Sequence, residues 1–209
     1  MNNLTQVPAF AFSLLLHLET MTERIIVGTF LGLVWGASLR AWMVVLALQS
    51  GEQPHFTWLG TFGGILLPAA LVGAILGVAG SAETSTHIRR WAILSPLLFV
   101  VGPLVFTKRF IPTLLTTGLG SGAIGVALIG LLGGYALSDF GAQWTRWLSG
   151  LFVLLLLAAA SVYGIYVAVS KGSSSEAFST LLFVLLMVLL VAGVSAPYRY
   201  RIRVGVTPH

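Results

Sequence analysis

IIVGTFLGLVWGASLR, residues 25–40, carries no charge until it closes on Arg40. The apolar run continues to Leu48, and as a helix rising 1.5 Å per residue it is long enough for a hydrocarbon core of about 30 Å. Within it Gly28, Gly32, Gly36 and Arg40 recur every fourth residue, which keeps them near one stripe of a helix. The stripe is a groove without side chains that leads to a cation. In a membrane, glycine at this spacing lets a second helix approach backbone to backbone. An ionisable group at the end of such a groove is expensive to bury in lipid, which makes it a candidate functional residue.

The rest of the chain fits a lipid solvent. Of its 209 residues 57% are hydrophobic and only 8% charged, whereas soluble domains carry about 25% charged residues. Mean hydropathy is +0.97. The formal net charge of +5 comes from eleven Lys and Arg spread between apolar runs. Cations so placed set topology and meet anionic head groups, and no nucleic-acid partner is expected. The chain has no cysteine, which excludes disulfides, thiol catalysis and iron–sulfur ligation.

Six segments are read as membrane spans: residues 25–48, 61–80, 91–107, 112–137, 147–170 and 178–196. The fold class is therefore all-α, a polytopic bundle of about six transmembrane helices. Residues 1–24 read as an interfacial or disordered arm, 25–196 as the membrane domain and 197–209 as a basic cytoplasmic tail. Pro96 and Pro103 should kink the third span, and the long fourth should tilt or break near its Thr and Gly cluster. With both termini on one side, that side holds Arg24, Arg89, Arg90, Arg146, Arg199, Arg201 and Arg203, against Lys108, Arg109 and Lys171 opposite. The imbalance favours both termini in the cytoplasm of a cell whose plasma membrane the chain crosses. Trp91, Trp144 and Trp147 fall at span ends, as an aromatic belt requires.

Glycine is shared unevenly. Beyond Gly28, Gly32 and Gly36, the pairs Gly73–Gly77, Gly118–Gly122 and Gly130–Gly134 also stand four apart. Spans one, two and four are accordingly expected to form the tight centre. The leucine-rich sixth span is expected to face mostly lipid.

Arg40 lies roughly 22 Å beyond Ile25 along the helix, in the outer third of the bilayer. The following loop supplies Glu52, His55 and Trp58, the next outer loop Lys108 and Arg109, and the last one Lys171 and Glu176. Together with Trp42 these form a candidate face for a carboxylate, a phosphate or a lipid head group, which arginine grips bidentately. Two structural roles compete with that reading: Arg40 snorkels to the interface, or it pairs with Glu52.

Arg40-Ala41-Trp42-Met43, followed by Pro54-His55-Phe56-Thr57-Trp58-Leu59-Gly60-Thr61, resembles the Arg-x-Trp-Met … Pro-x-Phe-Thr-Trp-x-Gly-Thr signature of a family of bacterial multi-pass membrane proteins without an assigned activity. Val44 stands where that family often has a basic residue, and His55 where it usually has an acid. The resemblance covers about a seventh of the chain and implies a membrane protein without naming its activity.

Catalytic and cofactor chemistry find little support. His17, His55, His87 and His209 are all expected in loops or termini, never at an i, i+4 spacing inside a span, so no haem or zinc cofactor is expected. Gly120-Ser121-Gly122 looks like a nucleophile motif without an intramembrane base. Asp139 and Arg146 read as a local pair. Two function classes remain. One is a non-enzymatic protein that binds a partner subunit, a second copy, an anionic lipid or a small anion through the glycine face and outer loop. The other is a small transporter or channel with an anion-attracting outer vestibule, its polar line drawn from Thr113, Thr116, Thr117, Ser121 and Tyr135 together with Arg40.

Overall fold

The computed structural model describes residues 20–51, 56–81, 84–106, 121–172 and 174–203, all of whose regular structure is helical. Helix α1 is Met21–Gln49. A π-helix, Leu59–Leu66, runs directly into α2, Leu67–Ala79. The third span is α3, Thr86–Ala92, a 3-10 turn over Ser95–Leu97, and α4, Leu98–Phe106. Then follow α5, Ser121–Ala136, α6, Gln143–Lys171, and α7, Ser174–Arg203. Five of these helical units are long and apolar enough to cross a membrane, and α5 is a shorter apolar helix. The arm before residue 20, Gly118 and the threonines of the fourth span lie outside the described residues.

Local chemistry explains several boundaries. Thr20 caps α1 through a reciprocal box, its Oγ1 accepting from the Glu23 amide at 3.2 Å while Glu23 accepts from the Thr20 amide at 3.1 Å. This starts the helix four residues before the apolar run. In the third span, proline produces a break as well as a bend. Helix α3 stops at Ala92, Pro96 sits in the 3-10 turn, and Pro103 lies within α4. A proline nitrogen donates no helical bond and its ring crowds the preceding turn.

The glycine stripe of α1 packs against α2. A methyl group on Gly28 would overlap the Gly73 carbonyl, one on Gly32 the Ala69 carbonyl, and one on Gly77 the Arg24 carbonyl. Each step of four along α1 is matched by a step of four back along α2, so the two helices are antiparallel and in register. Gly36 completes the row against the Ala69 methyl. The groove is thus filled from within the chain and is not open to a partner helix or a second protomer.

The sixth span corrects the sequence reading. Helix α7 is central, touching α1, α2, α5 and α6, and buries Leu186, Met187, Leu190 and Val194. The reason lies on its neighbour. Gly130 of α5 faces Leu190, Gly133 faces Val191 and Gly134 faces Val194, so the glycines of one helix make hollows for the branched side chains of the other. Gly122 meets no described atom within 4 Å. The flanking positions fall to α1 and α6, which present Ile26, Phe30 and Leu33, and Leu148, Leu151 and Leu155, outward.

Helix α1 is also fastened to α7 at heptad intervals. Trp35 Nε1 donates to the Leu186 carbonyl and Trp42 Nε1 to the Ser179 carbonyl, both at 2.8 Å. Gln49 Nε2 donates to the Ser175 carbonyl at 2.8 Å and to Ser179 Oγ at 2.7 Å. Seven residues forward on α1 is close to seven back on α7, again an antiparallel register.

At one end of the bundle the helix ends converge. Arg24 donates to the Gly80 carbonyl, and Arg89 Nη2 to the Ser81 carbonyl at 2.6 Å. Tyr198 donates to the Arg89 carbonyl at 2.7 Å, and Tyr135 and Thr145 share a hydrogen bond of 2.7 Å. The starts of α1, α3 and α6 therefore lie with the ends of α2, α5 and α7, as alternating membrane crossings require. No ion pair joins Asp139 to Arg146 among the described residues, and Arg146 Nε is buried without an acceptor.

Candidate functional site

The end of the bundle opposite this convergence carries the π-helix, and Arg40 sits beside it. Pro68 explains why the second span begins with a wide turn. In a continuous α-helix its ring would meet the Gly64 carbonyl and its nitrogen could not donate to it. Instead Leu67 N–H bonds the Phe62 carbonyl five residues back, and the α register resumes beyond it. Glycine lets the expanded turns pack closely. A methyl on Gly63 would strike the Phe106 ring at 2.6 Å, and one on Gly102 of α4 would lie 3.2 Å from the Gly64 carbonyl.

Arg40 reaches this turn from α1. It is half-buried, and its Nε donates to Thr61 Oγ1 at 3.3 Å. Thr61 is buried and lies in the π-helix, its own amide bonded to the Thr57 carbonyl at 2.9 Å. The stripe of small residues on α1 therefore ends on a guanidinium held against the distorted segment of the second span.

The other residues proposed from sequence separate. Trp42 points away from Arg40, with its ring stacked on Phe183 at 4.9 Å and its indole N–H bonded to Ser179. It is a packing residue between α1 and α7. Two positions along a helix are about 200° apart, so Arg40 and Trp42 address different neighbours. Trp58 is 71% exposed and belongs to a surface row, stacked on Phe62 at 5.1 Å with Phe56 edge-on at 5.4 Å. Glu52, His55, Lys108 and Arg109 lie outside the described residues.

Sequence reasoning missed Thr61 as a partner of Arg40 and missed the π-helix. A signal for the latter was present: Pro68 stands inside the apolar run of residues 61–80, four residues after Gly64. The heptad row of Trp35, Trp42 and Gln49 was equally visible and marks the α7 face.

Chemically, the arrangement offers a planar cation, a buried hydroxyl acceptor, and an exposed aromatic edge beside the same π-helical segment. No protein-family model matches the chain, and neither a curated protein nor a solved structure is similar to it.

Proposed function

We propose that the chain is a non-catalytic binding protein of the cell membrane, with both termini in the cytoplasm. In this reading the outer face around Arg40 engages an anionic group presented by a partner subunit or a lipid. The observation that carries the reading is Arg40 lying on Thr61 of the π-helix. Intramembrane arginines concentrate at functional positions, and π-helical turns recur at functional sites because they re-aim groups at the cost of helix regularity. The exposed row Phe56, Trp58 and Phe62 suits the interfacial depth at which such a group would be met.

Among the described residues, the middle of the bundle favours binding over transport. A permeation route needs hydrogen-bonding groups along its length. Between Thr61 and the inner-half Ser95 lies a continuous apolar cluster that includes Val72, Phe99, Ile129, Met187 and Leu190.

The test is recovery of the protein in native lipid nanodiscs, followed by mass spectrometry of what remains bound. Arg40→Gln and Trp58→Ala should each lower the retained partner or lipid about tenfold, in line with roughly 1.4 kcal/mol for a lost charged or aromatic anchor, with thermal stability unchanged. If both variants are stable and retain the same species in the same amount, the reading fails. Flux of a small anion into proteoliposomes that depends on Arg40 would replace it with transport.

A further inference from the structure

The end of the bundle where the helices converge carries a second set of groups that the Arg40 reading does not use. Seven arginines belong to this end, at positions 24, 89, 90, 146, 199, 201 and 203, with Glu23 and Asp139 as the acids among the described residues. They divide by role. Arg24 and Arg89 serve the fold, each donating to a carbonyl at the close of α2, where the helix dipole favours a cation.

Among the described residues, neither Arg90 nor Arg146 donates a side-chain hydrogen bond to a helix-end carbonyl. Arg90 is exposed, and its guanidinium carbon lies over the Phe140 ring at 5.1 Å from the centroid. Phe140 is itself held edge-on by the buried Tyr198 at 5.4 Å, and Tyr198 is hydrogen-bonded to the backbone of Arg89. The ring supports the guanidinium carbon while the side chain as a whole stays exposed, and a planar guanidinium is the group suited to gripping phosphate. Arg146 stands one helical turn into α6, just beyond the loop that carries Phe140, and its buried Nε has no acceptor among the described residues. The depth of this set is marked by Trp91, Trp144 and Trp147, all exposed. Indoles sit at head-group level. Helix α7, 30 residues long, spans about 45 Å against a hydrocarbon core of about 30 Å, long enough for its backbone to reach beyond that core.

We infer that Arg90, seated on Phe140, and Arg146 form a binding site for the phosphate of an anionic phospholipid in the leaflet at this end of the bundle. Charge complementarity names the ligand, and the surrounding indoles select a membrane lipid over a soluble anion. The site is independent of Arg40 and of which side of the membrane this end faces.

The full chain is reconstituted in nanodiscs of equal neutral phosphatidylcholine and anionic phosphatidylglycerol, and the lipids retained after extraction are counted by native mass spectrometry. The wild type should retain the anionic lipid in excess. Arg90→Gln and Arg146→Gln should each weaken that retention about fivefold, the value of roughly one surface cation, while Lys171→Gln at the opposite end should leave it unchanged. A well-folded double variant with undiminished excess, or an equal loss in Lys171→Gln, would overturn the site. Should the double variant aggregate, Phe140→Leu decides, because it keeps both charges and removes only the platform. Reduced anionic retention then supports the site, and unchanged retention refutes it.

Discussion

Gly32 shows how much one hydrogen atom can matter. Its Cα–H faces the Ala69 carbonyl at a separation that no side chain can share. Relief would require α1 and α2 to part along their whole seam, since neither backbone can rotate away. Gly32→Leu should therefore cost about 3 kcal/mol or more, the upper range for overpacking, and the variant should fail to elute as a monodisperse species. Gly122→Ala, with no described atom within 4 Å, should be unaffected in the same assay. The four-residue spacing made Gly28, Gly32 and Gly36 readable as a close-approach surface. It did not say which helix approaches, because small residues record the distance between backbones and carry no identity. Arg40 was legible for the opposite reason: charge in an apolar run is rare. Its partner Thr61 was not, since a threonine in a membrane helix commonly bonds its own backbone.

At the scale of the element, the second and third spans depart visibly from continuous α-helices. Proline accounts for both departures. Pro96 is attended by the break between α3 and α4, and Pro68 by the π-helix before α2. A kink was readable from Pro96 and Pro103, though not a full break, whereas Pro68 was an ambiguous signal for the wide turn, because proline also fits the first turn of an ordinary helix. The burial of α7 was misread for a related reason. Its own residues, Leu, Val and Met, suit lipid and protein equally well, and the hollows that receive them belong to α5. The fastening of α1 to α7 rests on weaker forces than the glycine seam. Hydrogen bonds between membrane helices average about 0.6 kcal/mol, with a maximum near 1.7. Trp35→Phe and Trp42→Phe should each lower stability by roughly 1 kcal/mol, read as a small drop in unfolding temperature, with the fold retained. A loss as large as that of Gly32→Leu would mean that the indoles, and not the seam, hold α1 in place.

Across the whole molecule, one end is rich in arginine and the other carries an aromatic row beside Arg40. The absence of cysteine makes the polarity easy to check. In intact cells a membrane-impermeant maleimide should label Phe56→Cys and spare Asp139→Cys, and permeabilisation should expose both. The reverse pattern would invert the orientation. The two seams of α1 also differ in when they can form. Its glycine face meets α2, roughly forty residues further on, so that hairpin can close while the chain is still being made. Its indole face waits for α7, with Trp35 and Leu186 separated by 151 residues. At synthesis rates of about 5–20 residues per second, α1 spends roughly eight to thirty seconds in the bilayer with two indole N–H groups turned toward lipid. Ribosome-bound chains halted before α7 should therefore expose a specific, incompletely satisfied helix face. That face gives membrane quality control a means of telling a finished bundle from an unfinished one.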